Sequence, residues 1–302
     1  MKDIVRIESI NQVHTFLDLP KPKHPLVSII PIDDKMTTMD YGDVTYVFDF
    51  YQISLKSGIK GTLTYGRNSY DFEEGSMIFM KPGQTLKVES SEELDGSSGW
   101  TLLIHPDLLR KSELGKRIDS YSFFSYASNE ALHLSDDEKE TVTELVNKIE
   151  KEYNQIIDKH SQTLIISNIE LLLNYCTRFY DRQFYTRTNL NQDYVSKFEE
   201  MLKEYFSSNR HMETGIPTVS FCGEEMNMSG HYLSDLLKKE TGMSAQEHIH
   251  QFIINKAKNL LLSTNDTVSQ IAYDLGFEYP QHFSKIFKSK TGVSPTEYRK
   301  AG

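Results

Sequence analysis

The stretch SKIFKSKTGVSPTE at residues 284–297 repeats an earlier stretch, SDLLKKETGMSAQE, at residues 234–247. The two stretches lie 50 residues apart, and Ser, Lys, Thr-Gly, Ser and Glu recur in place. Gly242 and Gly292 each follow an apolar helical pattern, where a glycine commonly ends a helix. The repeat therefore predicts two copies of one helical unit in the last hundred residues.

A shorter helical pattern precedes each stretch and ends in a tight turn. The first pattern covers 222–226 and turns at Asn227, and the second covers 271–275 and turns at Gly276. A helix, a short turn and a second helix make a helix-turn-helix. The second, or recognition, helices are expected at about 229–239 and 280–290.

One uninterrupted helical pattern, residues 245–262, joins the two predicted helix-turn-helix units. Eighteen residues at a rise of about 1.5 Å span about 27 Å. Major-groove windows on one face of B-DNA recur about every 34 Å. A helix of this length can therefore place two recognition helices in adjacent grooves.

These motifs resemble the C-terminal signature of the AraC/XylS-type transcription regulators. The matching residues are Ile271-Ala272, Gly276-Phe277, Phe283, Phe287-Lys288, Gly292, Ser294-Pro295 and Tyr298-Arg299. The resemblance covers about 193–300 and implies that the chain is a regulator that binds one asymmetric half-site of double-stranded DNA. It also implies RNA polymerase as a candidate partner and a cupin-like sensing domain for a small-molecule effector, the latter by similarity of layout only.

The recognition helices must turn apolar residues to the core, which leaves their other face for DNA. The residues predicted to face base edges are His231, Ser234, Asp235, Gln281, His282 and Lys285. Gln suits bidentate contact with adenine, and Lys suits guanine. The residues predicted to contact phosphates are Lys238, Lys239, Lys288, Lys290 and Arg299. The alternative for every one of these residues is a solvated helix face.

Two positions depart from the family pattern. Asp235 and Ile253 stand where the family often has arginine. Asp235 either accepts a hydrogen bond from cytosine N4 or pairs with Lys238 or Lys239 on the helix surface. The second helix-turn-helix departs less from the family pattern, so the base contacts that the resemblance implies apply more directly to it.

The charge of the chain is acidic, with 33 Lys and Arg against 43 Asp and Glu. Residues 191–302 have a net charge of −2, but 281–300 holds five basic residues and one acidic residue. An acidic total argues against a polybasic coat protein and does not exclude DNA binding, because the local face decides that. We expect modest non-specific affinity with strong salt dependence.

The first 134 residues contain short strand patterns separated by Gly and Pro turns. These patterns cover 44–55, 62–65, 69–72, 77–80, 86–88 and 99–105. Short strands at near-regular spacing are typical of a barrel or sandwich. We therefore expect a cupin-like β-barrel over 1–134, which with the C-terminal helices makes an α+β multidomain chain.

The apolar spacing becomes helical at Ser135, where SDDE is a capping box. Two amphipathic helices follow and predict a helical hairpin over 135–182. Either one apolar face joins a second copy, giving a homodimer, or both faces cover the strands. Residues 183–192 are polar and aperiodic, so a linker is expected before a DNA-binding domain at 193–302.

Composition limits the remaining classes of function. A hydrophobic content of 38% excludes global disorder, and no apolar run is long enough for a transmembrane helix. The charged start does not predict a secretory signal. Two isolated cysteines, Cys176 and Cys222, argue against a disulfide framework or a cysteine zinc site and favour a cytoplasmic protein.

A cupin-type enzyme is one alternative function. Such enzymes carry a close histidine pair with a nearby Glu, whereas His14, His24 and His105 are scattered over the first 130 residues. No P-loop or dinucleotide motif occurs, so no catalytic residue, metal site or cofactor is predicted. A second alternative is a regulator whose N-terminal domain only dimerises or binds another protein. The effector, the operator and the sign of regulation stay open at this level.

Overall fold

The computed structural model describes residues 4–32, 44–57, 59–65, 68–72, 75–87, 98–127, 130–186 and 188–301. Only the backbone is described for 59–65, 68–72, 186, 188–192 and 301. The chain divides into two compact units, an N-terminal unit of residues 1–186 and a C-terminal unit of residues 187–302. The division falls within the stretch where a linker was expected.

The described strands of the N-terminal unit form three sheets. They are β1 (Ile4–Ile7), β2 (Val27–Ile32), β3 (Thr45–Phe48), β4 (Tyr51–Ser57), β5 (Ile59–Tyr65), β6 (Asn68–Phe72), β7 (Ser76–Met80), β8 (Thr85–Lys87), β9 (Ser98–Ile104) and β10 (Leu132–His133). The largest sheet has the order β10-β7-β4-β9-β2 and is antiparallel throughout. A second sheet has the order β1-β3-β8, and β5 with β6 forms a hairpin.

The expected closed barrel is not present among the described residues, because these sheets stay separate. The strand predicted over 44–55 is broken at Asp49 and Phe50 into β3 and β4, which belong to different sheets. The Asp49 N–H donates to the Ile7 carbonyl (3.0 Å) and its carboxylate pairs with Arg6 (2.8 Å). These contacts hold the break, and the fold prediction is confirmed only as a sheet domain followed by a helical domain.

The helices of the N-terminal unit are α1 (Ile10–Phe16), α2 (Pro106–Leu109), α3 (Glu113–Arg117), α4 (Asp136–Asn154) and α5 (Ser161–Thr186). The predicted capping box starts α4: the Ser135 hydroxyl accepts from the Glu138 N–H (3.4 Å), and the Glu138 carboxylate accepts from the Ser135 N–H (3.0 Å). Two orphan donors at the helix start are thereby satisfied.

One face of the five-stranded sheet is covered by α4 and α5. The Trp100 indole donates to the Thr143 hydroxyl (3.3 Å), and the Cys176 sulfur lies 4.0 Å from the Met77 sulfur. Ile169 and Leu172 of α5 are fully buried. The main apolar face of α5 therefore packs in the core of its own unit. This agrees with the second alternative, in which the helices cover the strands, and not with a dimer formed through this face.

The irregular linker expected over 183–192 is wrong for the described residues. Helix α5 continues to Thr186, and α6 begins at Thr188. The side chains of Gln183 and Phe184 are buried, which fixes the last turn of α5. The Gln183 amide accepts from the His133 N–H (2.9 Å) and donates to the Ala131 carbonyl (3.2 Å). Tertiary contacts thus extend a helix that local polarity did not predict.

The C-terminal unit is helical throughout its described length. Its helices are α6 (Thr188–Ser207), α7 (Arg210–Thr214), α8 (Val219–Glu225), α9 (Gly230–Thr241), α10 (Ala245–Ser263), α11 (Val268–Asp274), α12 (Pro280–Thr291) and α13 (Pro295–Ala301). One apolar cluster joins them, and it contains Phe198 and Leu202 of α6 together with Leu233, Ile253 and Phe287. No helix in the described parts of the chain is long and apolar enough to cross a membrane.

Candidate nucleic-acid interface

The C-terminal unit contains the two predicted helix-turn-helix units, which are α8 with α9 and α11 with α12. Both turns use a left-handed residue, Asn227 (φ 56°) and Gly276 (φ 86°). The first turn spans four residues, 226–229, and the second spans five, 275–279. The repeat offset is therefore 49 at the first helices and 50 at the recognition helices.

The carboxyl ends of the recognition helices α9 and α12 are built alike. Gly242 (φ 78°) and Gly292 (φ 83°) hold the left-handed conformation that ends each helix, as predicted. The preceding threonine donates to a carbonyl one turn back in both copies, Thr241 to Leu237 (2.7 Å) and Thr291 to Phe287 (2.8 Å). The repeat therefore encodes the same hydrogen bonds as well as the same helices.

The next helix starts in both copies with a serine and a glutamate. The Ser244 hydroxyl and N–H donate to Glu247 (2.8 and 2.9 Å), and Ser294 donates to Glu297 in the same way (both 2.7 Å). These hydrogen bonds are the main cause that lowers the pKa of both carboxyl groups. Each pair caps the start of the helix that follows a recognition helix.

Recognition helix α9 buries Tyr232, Leu233, Leu236 and Leu237. Its exposed side chains include His231, Lys238 and Lys239, whereas Asp235 is half-buried. Ser234, which stays a predicted base reader, is half-buried, and its hydroxyl accepts from the Ala245 N–H at the start of α10 (3.3 Å). This hydrogen bond joins α9 to α10.

Recognition helix α12 buries Phe283 and Phe287 and leaves a longer polar face. The exposed side chains on that face include Gln281, His282, Lys285 and Lys288. The His282 ring meets Phe277 edge to face at 5.9 Å, which orients it at the amino end of the helix. The structure thus brings the predicted readers of the second helix-turn-helix onto one accessible surface.

Two residues that are predicted to contact phosphates also have partners within the fold. Arg299 is half-buried, and its Nε–H donates to the Leu261 carbonyl near the end of α10 (2.9 Å). Lys290 lies 4.0 Å from the carboxylate of Glu247. Arg299 therefore satisfies a helix-end carbonyl, and Lys290 ties the end of α12 to the start of α10.

The helix that joins the two helix-turn-helix units is α10, as predicted. It has 19 residues, or about 28 Å at the α-helical rise. Ile249, Ile253 and Ala257 are fully buried along it. Because α10 lies in the shared core, it holds α9 and α12 at a defined separation.

The sequence did not predict α7 or the buried His211 within it. Asn209 precedes this helix in a left-handed conformation (φ 59°), and no apolar period marks the segment. The His211 Nε2 lies 3.0 Å from the Asp274 carbonyl. Its Nδ1 finds no hydrogen-bond partner among the described residues. A histidine in a polar stretch was the only signal available.

The comparisons with known proteins agree with this geometry. Residues 222–301 match the model of a helix-turn-helix domain. The chain is 23% identical over 269 residues to the HTH-type transcriptional regulator YfiF of Bacillus subtilis, covering 87% of this chain and 80% of that protein. It is 21% identical over 245 residues to the lactose operon transcription activator of Staphylococcus xylosus, covering 80% of each. Identity rises to 41% with the regulator YisR of Bacillus subtilis, but over 69 residues, about a quarter of each chain.

Two helix-turn-helix units on one core, with this match, define a DNA-binding transcriptional regulator. The family resemblance seen in the sequence is confirmed for the C-terminal unit, where residues 222–301 match a helix-turn-helix domain of the AraC type and the relatives are transcriptional regulators of the AraC/XylS type.

Burial lowers the pKa of three histidines of the C-terminal unit. They are His211, His248 and His250. For His211, burial outweighs the hydrogen bond to the Asp274 carbonyl, which favours the protonated ring and raises its pKa. A histidine with a lowered pKa in the fold binds its proton more tightly in the unfolded chain. Stability is therefore lost as the pH falls below about 6.5.

We expect the C-terminal unit to be less stable at about pH 5.5 than at about pH 7.5, by at most about 1.4 kcal/mol per pH unit for each histidine. Hydrogen exchange at the amides of α10 and α11, corrected for intrinsic rates, measures this difference. His211→Gln should reduce the pH dependence, since one titrating group is gone. Equal or greater stability at the lower pH would contradict the assignment.

Proposed function

We propose that the chain binds an asymmetric site in double-stranded DNA by placing α9 and α12 in adjacent major grooves. The observation that carries this proposal is the duplicated helix-turn-helix geometry on one shared core, with α10 as the spacer. Two recognition helices in one chain need no symmetric partner to reach two grooves. Activation of transcription, with RNA polymerase as a candidate partner in the cytoplasm, completes the proposal; the name of one relative, the lactose operon transcription activator, supports activation.

The second helix-turn-helix carries most of the sequence readout in this proposal. Recognition helix α12 contains no acidic residue, and it exposes Gln281, His282 and Lys285. Recognition helix α9 contains Asp235 and Glu240, and Ser234 is engaged at α10. A carboxylate near phosphates weakens binding unless it accepts from cytosine, so Asp235 remains a reader of one base pair at most.

The lysines near the ends of the recognition helices contact the DNA backbone in this proposal. Lys238, Lys239 and Lys288 are exposed near the carboxyl ends of α9 and α12. Contacts to phosphates position a protein without reading sequence. Lys285 lies one turn earlier than Lys288 and is assigned to base edges.

Lys285→Ala and Lys288→Ala form a matched pair that separates these roles. Loss of Lys285 should relax the preference at one or two base pairs, at a cost of about 1–3 kcal/mol. Loss of Lys288 should weaken all sequences alike and lower the slope of log K against log salt by about 1. Competition binding with randomised sites at several salt concentrations measures both effects. Identical changes in sequence preference for the two variants would refute the assignment.

For the N-terminal unit we propose a ligand site between its two larger sheets. The β1-β3-β8 sheet faces the five-stranded sheet, since Tyr46 and Phe50 share a core cluster with Ile30 and Leu103. This arrangement supports a cupin-like pair of facing sheets in place of a closed barrel. Small-molecule sites of β-proteins commonly lie at the mouth of a barrel, and the end of this pair of sheets is the corresponding position.

The two faces of β4 differ in polarity. Ile53 and Leu55 lie on the face that α4 and α5 cover, and both are buried. Gln52 and Ser54 lie on the other face, because strand residues alternate. Ser54 is paired in register with Thr101, and their hydroxyls are 2.9 Å apart. A polar stripe therefore crosses the face that looks toward the β1-β3-β8 sheet.

Gln52 points to the chemistry of the ligand. It is 9% exposed, and its amide Nε2 finds no hydrogen-bond partner within the described parts of the chain. A buried unsatisfied amide costs about 1–3 kcal/mol, so its retention is explained if a bound molecule accepts its hydrogens. An uncharged amide and two hydroxyls suit a neutral molecule with several hydroxyl groups.

Gln52→Leu tests this site through the sign of the change in thermal stability. It should raise the thermal stability of the N-terminal unit, since it removes an unsatisfied amide, and abolish stabilisation by a panel of neutral sugars and polyols. Gln183→Leu is the matched control, because Gln183 is also buried (3% exposed, against 9% for Gln52) but its amide is hydrogen-bonded at both its oxygen and its nitrogen. It should destabilise by about 1–3 kcal/mol. Equal destabilisation by the two changes would argue against a ligand site at Gln52.

The homodimer is proposed through the outer face of α5 in place of the face expected from sequence. Leu164 and Leu171 lie two turns apart and are 47% and 44% exposed. Ile157, just before α5, is 52% exposed. Apolar residues at this spacing form one stripe along a helix, which a second copy of the same stripe can cover.

Light scattering tests the dimer with the double variant Leu164→Glu and Leu171→Glu. We expect the wild type to have the mass of a dimer and the variant that of a folded monomer, because two carboxylates cannot be buried unpaired. Asn147→Glu, an exposed change on α4, is the charge control and should leave the mass unchanged. A dimeric double variant or a monomeric wild type would contradict the proposal.

A further inference from the structure

The short helix α7 connects to both helix-turn-helix units through two adjacent residues. Arg210 contacts the first helix-turn-helix, and His211 contacts the second. The segment that contains them lies between α6 and α8, so it precedes both recognition helices in the chain. These contacts link the two helix-turn-helix units at a place away from the axis of α10.

Arg210 reaches α8 of the first helix-turn-helix. Its guanidinium lies 5.1 Å from the centre of the Phe221 ring and 3.6 Å from the Glu225 carboxylate. The Tyr205 ring packs on Phe221 at 5.3 Å, and the Tyr205 hydroxyl donates to the Gly215 carbonyl (2.8 Å). Both ends of α7 are thereby fixed to the surroundings of α8.

His211 reaches the carboxyl end of α11, where the second turn begins. Its Nε2–H donates to the Asp274 carbonyl (3.0 Å), one of the carbonyls that a helix end leaves unpaired. The ring is 6% exposed and packs on Phe206 at 4.7 Å. The His211 ring packs against Phe206 and is hydrogen-bonded to the Asp274 carbonyl, so it has little freedom to move.

The backbones of α7 and the second turn also touch. A Cβ placed on Gly276 would lie 2.9 Å from the carbonyl oxygen of His211, closer than real Cβ atoms come. Gly276 is therefore required for this approach as well as for its φ of 86°. Any larger residue would push α7 away from the turn that leads into α12.

We propose that α7 is a brace that fixes the rotation of the second recognition helix relative to the first, with His211 as its positioning residue. One connecting helix sets a distance, but it leaves twisting about its own axis to side-chain packing. A second contact away from that axis restricts the twist. This inference rests on the proposed binding of two adjacent grooves, where a twist error moves α12 out of register with its bases.

The test uses the full chain and the DNA site that it selects from random sequence. One base pair is then inserted between the two contacted boxes, which rotates one box by about 35° and shifts it by about 3.4 Å. The wild type should bind the inserted site less tightly than the original. His211→Leu should reduce that discrimination about two- to tenfold, the worth of one hydrogen bond. His211→Gln, whose amide can donate to the Asp274 carbonyl, should retain most of it.

Gly276→Ala breaks the same contact from the other side and should relax spacing discrimination in the same way. Gly292→Ala is its matched control, because it imposes the same backbone strain (φ 83°) with no atom within 4 Å of the added Cβ. It should lower stability and leave the spacing ratio unchanged. Variants with the spacing ratio of the wild type would overturn the brace, whereas a wild type that tolerates the insertion would overturn the two-groove proposal itself.

Discussion

The rest of the C-terminal unit depends on the single apolar core that both helix-turn-helix units share. Leu233 and Leu237 of α9 and Phe283 and Phe287 of α12 belong to the same cluster, with Ile249 and Ile253 of α10 between them. Each recognition helix therefore has its inner face committed to the core and its outer face free for DNA. A regulator that reads two grooves at once needs this rigidity, since flexible joints would lose the gain of the second contact to entropy.

Repetition of the fold is accompanied by divergence of the chemistry. The glycine ends, the threonine hydrogen bonds and the serine–glutamate starts are the same in both copies. Ser234 and Ser284 are not equivalent, because Ser234 accepts from the Ala245 N–H and the corresponding Pro295 has no N–H to donate. The first helix-turn-helix is thus tied more closely to α10, and the second exposes more readers. This contrast is the structural basis for assigning the readout mainly to α12.

Local signals in the sequence were sufficient for the two helix-turn-helix units and for α10, which joins them. A left-handed glycine, a capping box and an amphipathic helix each depend on residues that are close in sequence. The two helix-turn-helix units, α10 and the capping box before α4 are therefore predictable. The roles of Ser234 and Arg299 were not, because their partners Ala245 and Leu261 are known only once helices pack. The sequence around a serine or an arginine does not show whether its side chain bonds to the backbone of a distant helix.

Long-range contacts explain the other departures from expectation. The break between β3 and β4 depends on Asp49 meeting Arg6, 43 residues away, and α5 is extended by the bonds of Gln183 to β10. Which face of α5 is buried depends on how the helix packs on the sheet. Periodicity alone could not decide whether Leu171 or Leu172 is the buried residue. Neither α7 nor Gln52 carries a sequence motif, and their importance rests on burial and on unmatched polar atoms.

We propose that one chain reaches two adjacent major grooves through α9 and α12. Hydroxyl-radical footprinting of residues 187–302 on the selected site tests this binding mode, with the full chain as a reference. We expect one asymmetric site, with protection centred on two major grooves one helical turn apart and bound by a single copy of the C-terminal unit. Protection of a single groove, with a palindromic site required for binding, would contradict it.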